Sequence, residues 1–168
     1  MEGINLVQLK TEYATDLLSL WNNENVMKYT YLEVIETKEQ AKERIEYWLK
    51  QYTYKTFPNH FVILKDEEVV GVAGLPIIRK EPFCCGIYYQ IKEEYQRQGI
   101  ATKVVDLLKN KVFEKYPNGK IVTSCISSNE GSKKVLLRNG FVYSETKVGA
   151  FERNGFIDDV ERYTFLND

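Results

Sequence analysis

The segment Ile91-Lys92-Glu93-Glu94-Tyr95-Gln96-Arg97-Gln98-Gly99-Ile100-Ala101-Thr102 joins a β-rich run to a helical one through a polar turn. A helix that begins near Gly99 leaves its first backbone N–H groups without intrahelical partners, and its dipole adds positive potential at that end. Such an end can hold a phosphate or pyrophosphate. Arg97 and Lys103 either add charge there or are solvated surface residues. Further along, Asn129-Glu130-Gly131-Ser132 opens a second helix that closes with Arg138-Asn139-Gly140-Phe141. Asn129 and Ser132 are both residue types that cap a helix start, and both carry polar groups a ligand can meet.

The elements that must position these residues follow from periodicity. Ile4 to Leu9 alternates as a strand. Thr11 stands where it would cap a helix through Trp21, with Ala14, Leu17, Leu18 and Trp21 on one face. Asn22 to Thr37 has no clean period and reads as a loop with a short helical turn. Thr37 caps the next helix, whose Ala41, Ile45, Trp48 and Leu49 form the apolar stripe. After the break at Phe57-Pro58-Asn59, Phe61 to Lys65 and Val69 to Leu75 form a hairpin around Asp66-Glu67-Glu68. Pro76 and Pro82 bracket a connection or edge strand through Ile77 and Ile78. Cys85 to Ile91 is the following strand, with Ile87, Tyr89 and Ile91 on one face and Tyr88 and Gln90 on the other.

Beyond the glycine turn, Ala101, Val104, Val105, Leu108 and Val112 recur at helical spacing, and Pro117-Asn118-Gly119 ends that helix. Ile121 to Cys125 is a strand and Ser132 to Asn139 a helix closed by Gly140. Phe141 to Leu166 is two strands around Arg153-Asn154-Gly155. The predicted order is β-α-α-β-β-β-α-β-α-β-β, an α/β chain with mixed strand directions.

The 168 residues suit one domain, and 43% hydrophobic with 13% aromatic residues suffice for a core. With 23 basic against 24 acidic side chains, the chain lacks the broad positive field of a nucleic-acid binder. The N-terminus has no basic region ahead of an apolar run, and no stretch approaches a membrane span. Cys84, Cys85 and Cys125 lack metal-ligand spacing and His60 is the single histidine, so no metal is expected. Reduced, buried thiols in the cytoplasm are the reading this favours.

The ordered pair of motifs, Gln96-x-x-Gly99-x-Ala101 followed by Asn129-x-x-Ser132-x-x-Val135-Leu136-x-Arg138-x-Gly140-Phe141, resembles the GNAT superfamily of acyl-coenzyme A-dependent N-acetyltransferases. The element order extends the resemblance over nearly the whole chain. Within that superfamily the chain is most similar to the branch of the Rim-type ribosomal-protein N-terminal acetyltransferases. Trp21-Asn22-Asn23-Glu24-Asn25-Val26-Met27-Lys28-Tyr29, the Asn129 and Ser132 pair, and the tail Asn154-Gly155-Phe156-Ile157-Asp158-Asp159 with Tyr163 carry that likeness.

The resemblance implies one domain over 1–168, with a mixed, mostly antiparallel central sheet flanked by helices and splayed central strands. It implies that Gln96, Arg97, Gln98, Gly99, Ile100, Ala101 and Thr102 wrap the pyrophosphate of acetyl-coenzyme A. The pantetheine arm would lie where the Cys85–Ile91 strand splays from Ile121–Cys125, in contact with Asn129. The Ile91 backbone N–H would polarise the acetyl carbonyl. Many members carry a tyrosine seven positions after the helix-start asparagine, beside the departing sulfur. Here that position is Leu136, and Ser132 is the substitute, with helix capping as its ordinary alternative.

The acceptor implied is a primary amine, either a protein N-terminus or a small molecule, and the working unit a monomer or homodimer. A general base is not identifiable: His60 reads as structural, and Glu81, Glu93 and Glu94 are candidates only by elimination. Tyr29, Tyr31, Tyr88 and Tyr143 are the residues suited to line an acceptor cleft. The alternative is a non-catalytic module that binds acyl-coenzyme A. A different phosphorylated ligand is disfavoured, since neither a P-loop nor a dinucleotide fingerprint is present.

Overall fold

The computed structural model describes residues 1–52 and 57–167. The N-terminal alternation folds as β1 (Ile4–Gln8), antiparallel to β2 (His60–Lys65), which turns back into β3 (Glu68–Gly74). Asp66 and Glu67 make the turn, both at positive φ, the backbone twist that two-residue hairpin loops require.

Between β1 and β2 lie three helices. The expected cap at Thr11 is not formed. Thr11–Tyr13 is a 3-10 turn, and α1 (Ala14–Trp21) follows it without a side-chain cap. The tighter turn satisfies the entry by itself: Tyr13 N–H donates to the Lys10 carbonyl, and Ala14 N–H to that of Thr11. Leu20 rather than Leu18 completes the buried face with Ala14, Leu17 and Trp21. The short turn predicted in the next loop is α2 (Glu24–Met27), capped by Asn23.

Thr37 and Gln40 form a reciprocal capping box at the start of α3 (Lys38–Tyr52). Thr37 Oγ1 accepts from Gln40 N–H at 3.2 Å, and Gln40 Oε1 accepts from Thr37 N–H at 3.0 Å. Ala41, Ile45 and Trp48 of α3 pack with α1 against one face of the β2–β3 layer.

The strand expected over Cys85 to Ile91 is two strands in two sheets. After the edge strand β4 (Ile77–Arg79), β5 (Cys84–Cys85) runs parallel to β7 (Lys120–Ile126), whereas β6 (Tyr88–Ile91) runs antiparallel to β3. The break falls at Gly86, whose N–H is taken by the Pro76 carbonyl at 2.8 Å. The side-chain alternation predicted for this segment holds across the break. Ile87, Tyr89 and Ile91 join the second core, and Tyr88 faces the first.

Two sheets result, in strand order β1-β2-β3-β6 and β4-β5-β7-β9-β8. Their last two strands, β8 (Val142–Arg153) and β9 (Phe156–Leu166), form the long terminal hairpin around Asn154 and Gly155. Two helices cover the second core. In α4 (Ile100–Lys115), Ile100, Val104, Val105, Leu108 and Val112 are buried, while Ala101 is only half-buried. The other, α5 (Glu130–Arg138), begins two residues earlier than its periodicity suggested because Asn129 caps it. Gly140 takes the left-handed conformation at its end, φ +82°.

Candidate active site

Beyond Ile87 the two sheets part. The last tie is the Thr123 hydroxyl, which donates to the Ile87 carbonyl at 3.1 Å. From there β6 stays with β3 and β7 stays with β9. Lys92 N–H donates to the Val70 carbonyl at 2.8 Å, which continues the register that pairs Gly71 with Ile91. Bonded and non-bonded pairs alternate in an antiparallel ladder, so Ile91 and Tyr89 fall at non-bonded positions. Their N–H and C=O groups therefore point away from β3, into the gap. The Ile91 carbonyl is taken there by Gln96 Nε2 at 3.0 Å.

A cavity of about 1180 Å³ occupies the gap. At one end it meets the start of α4. Gly99, at φ +80°, sits immediately before that helix, and Arg97 is also left-handed at φ +58°. Successive N–H groups in such a turn converge on a concave anion site, and those of Gly99, Ile100, Ala101 and Thr102 are the ones a helix leaves without intrahelical partners. Ile91, Gln96, Arg97, Gly99, Ile100, Ala101, Thr102, Asn129 and Ser132 all line the cavity. Gln98 does not. Its side chain turns outward, accepting from Lys65 at 2.9 Å and donating to the Glu94 carbonyl. Lys103 lies outside the lining as well, 3.7 Å from Asp106 on the helix surface.

Ser132 is not the cap of α5. Asn129 Oδ1 accepts the Ser132 N–H at 3.2 Å, which leaves the Ser132 hydroxyl inside the first turn and facing the cleft. That hydroxyl lies 2.8 Å from the Tyr89 hydroxyl. Burial raises the Tyr89 phenol well above its ordinary pKa. The Cys125 thiol, on the opposite wall, is pushed up to about 11 by burial and is therefore protonated at neutral pH. Leu136, one turn further along α5, is 1% exposed and belongs to the core. Strand alternation puts Tyr89 on the same face as Ile91, but nothing in the sequence marks its partner on a helix so distant in the chain.

The other end of the cavity is assembled from remote segments. Tyr29 and Tyr31, from the loop after α2, line it, and the Tyr29 hydroxyl donates to the Ser128 carbonyl at 3.5 Å. The Tyr31 hydroxyl donates to the Ala150 carbonyl at 3.2 Å, and its ring stacks edge-on with Phe151. Arg153, at the tip of the terminal hairpin, locks this loop. It donates to the Leu32 carbonyl at 2.7 Å and the Thr30 carbonyl at 3.3 Å, and pairs with Glu24 at 3.2 Å. A smaller cavity of about 250 Å³ adjoins, bordered by Tyr31, Ser124, Lys147, Ala150, Val160 and Arg162. Of the other predicted liners, Tyr88 reaches the cavity wall but commits its hydroxyl to His60 at 2.9 Å. Tyr143 is on β8, bonded to Thr146 and away from the cleft.

Among the acid–base candidates, His60 is 3% exposed and sits in the first core, stacked near Trp48. Glu93 borders the cavity, and side-chain donors from Asn23 and Asn25 hold its carboxyl below the ordinary range. Glu81 and Glu94 do not line it.

Residues 4–142 match the family profile described as an acetyltransferase (GNAT) domain. Over 162 residues the chain is 26% identical to the uncharacterized N-acetyltransferase YoaA of Bacillus subtilis, covering 96% of this chain and 92% of that protein. Over 108 residues it is 30% identical to the ribosomal-protein-serine acetyltransferase of Escherichia coli, covering 64% of this chain and 60% of that protein. The spermidine N-acetyltransferase of Vibrio cholerae, solved with coenzyme A and spermine, superposes with a TM-score of 0.85 at 21% identity, over 99% of this chain and 97% of that one. Motifs, splayed sheets and family profile agree, and the chain belongs to the GNAT family of acetyltransferases.

Proposed function

We propose that this protein transfers an acetyl group from acetyl-coenzyme A to a primary amine by direct attack on the thioester. The observation that carries the reading is the gap between β6 and β7, open to the Ile91 and Tyr89 backbone on one side and ending at the α4 anion site. The pyrophosphate belongs on the N–H groups of Gly99 to Thr102, with Arg97 beside them. The pantetheine arm belongs in the gap as a surrogate strand, reaching Asn129.

The acetyl carbonyl then meets the Ile91 N–H, which stabilises the oxyanion formed when the amine nitrogen bonds to the carbonyl carbon. Collapse breaks the C–S bond with its electron pair on sulfur, and the Ser132 hydroxyl donates a hydrogen bond to the departing thiolate. The attacking amine must be neutral. An α-amine, with a pKa of about 7.7–8.0, needs little help at neutral pH, whereas a lysine near 10.4 needs a base. The only carboxylate on the main cavity wall, among the described residues, is Glu93, and two asparagines already hold it. At the acceptor end Lys28 and Lys147 contribute positive charge, while Arg162 is paired with Glu145 at 3.0 Å. A polycation such as spermine finds little counter-charge there, so an α-amine of neutral or acidic surroundings fits better. We read the protein as cytoplasmic, working as a monomer or homodimer without membrane or nucleic-acid partners; among the described residues no helix is long and apolar enough to cross a membrane.

The test is an acceptor screen with acetyl-coenzyme A, in which released thiol is measured against peptide α-amines, small monoamines and spermine. Thiol release with peptide α-amines above spermine is the expected result. Coenzyme A binding without thiol release with any amine would leave only the non-catalytic binding module.

A further inference from the structure

Leu136 of α5 is buried in the core, yet a tyrosine hydroxyl stands at the cleft beside that helix. It comes from the opposite wall: Tyr89 projects from β6, and its oxygen lies 2.8 Å from Ser132 Oγ on α5. Both residues line the cavity. Building on the acetyl-transfer reading, we infer that Tyr89 is a positioning residue for thiolate departure, donating its phenolic proton in a hydrogen bond to Ser132 Oγ so that the Ser132 proton faces the sulfur.

The direction of the bond follows from the charge it must serve. A serine hydroxyl has one proton. If Ser132 gave that proton to Tyr89, it would turn only lone pairs toward the developing thiolate. If it accepts from Tyr89, its own O–H is free for the sulfur. Burial keeps the phenol protonated throughout the neutral range, so the donor is always present. The Cys125 thiol does not compete for this role, since it donates to the Ile126 and Asn129 carbonyls. No proton leaves Tyr89 or Ser132 for good. The C–S bond breaks with its electron pair on sulfur, and the proton shed by the acylated nitrogen is finally taken by the thiolate through solvent.

Tyr89→Phe retains the ring and removes only the oxygen. It is expected to lower the single-turnover rate by about 3- to 10-fold, the scale of one neutral hydrogen bond, with the acetyl-coenzyme A Kd unchanged by calorimetry. Ser132→Ala removes the group that meets the sulfur and should lower the rate by about 10- to 150-fold. The double variant should be no slower than Ser132→Ala alone, because Tyr89 has nothing left to orient. Thermal melts of all three variants confirm the fold. Wild-type rate in a folded Tyr89→Phe, or a double variant slowed by the product of the two single losses, overturns the inference while leaving acetyl transfer intact. A wild-type protein that binds acetyl-coenzyme A but releases no thiol with any amine removes the acetyl-transfer reading itself, and this role with it.

Discussion

The two ends of the cleft are built in different ways. The end that meets α4 is a continuous stretch of chain, Ile91 to Thr102, and its working groups are backbone N–H donors fixed by a helix start and two left-handed residues. The opposite end is assembled from the loop after α2, the end of β7 and the terminal hairpin, and its walls are side chains tied together by Arg153. Backbone donors are the same whatever the side chains, so the first end suits a ligand that never changes. Side-chain walls change with every substitution, so the second end suits the component that varies between enzymes. Damage should therefore separate cleanly: one end should control the thioester, the other the amine.

Gly99→Val is the strongest way to break that separation, and we expect it to abolish acetyl-coenzyme A binding in a protein that still folds. A Cβ at Gly99 has Met1 Cε 3.2 Å away and otherwise open space, so crowding within the protein is minor. The costs are the left-handed φ of +80°, about 1–2 kcal/mol for a non-glycine residue, and a branched side chain at the proposed phosphate site. Gly155, at φ +84° with nothing within 4 Å of an added Cβ, provides the control for backbone strain. Gly155→Val should show a comparable loss in melting temperature and full binding by calorimetry. Equal affinity in both variants would remove the anion site from the α4 turn.

Arg153→Met tests the other end and should have a smaller effect. The side chain is 12% exposed and satisfies two carbonyls and a carboxylate. Its loss should free the Thr30–Leu32 segment and raise the KM for the amine about tenfold, which corresponds to about 1.4 kcal/mol. The acetyl-coenzyme A Kd should stay within about twofold, because the partners of Arg153, namely Thr30, Leu32 and Glu24, lie outside the Ile91–Thr102 stretch. If instead the Kd weakened as much as the amine KM, the two ends would be one unit.

This division also explains what could be read from the chain before folding. The geometry of the α4 turn is legible because its signals are local: glycine, polar turn and helical period are neighbours in sequence. The split of Cys84 to Ile91 into β5 and β6 was not legible, because side-chain alternation continues unchanged through Gly86 while the hydrogen bonds change partner. Thr11 looked like a cap because threonine caps often, but a 3-10 turn did the same work with backbone groups alone. Tyr89 and Ser132 are 43 positions apart, and neither periodicity nor motif spacing pairs a strand residue with one on a helix so remote. Arg153 read as the edge of an Asn-Gly turn, and nothing local marks it as the tie across more than a hundred residues to Leu32.

The smallest effect on turnover is expected at a residue that belongs to neither end. A single histidine in an acyltransferase, here His60, invites assignment as the general base, a role that imidazoles commonly take. Its position argues otherwise. The ring is 3% exposed, its Nδ1 is 2.9 Å from the Tyr88 hydroxyl, and it lies among Trp48 and Tyr88 in the core shared by α1, α3 and the first sheet. It does not border the cleft. His60→Ala should therefore change turnover by less than about threefold, well below the 100-fold scale on which lost acid–base catalysis registers. Stability should fall by about 2–4 kcal/mol, because the variant leaves a cavity and removes the partner of a buried tyrosine hydroxyl. Chemical denaturation and steady-state rates measured on one preparation separate the two. A turnover loss near 100-fold with little change in stability would mean that the amine reaches His60 by a route this packing does not contain.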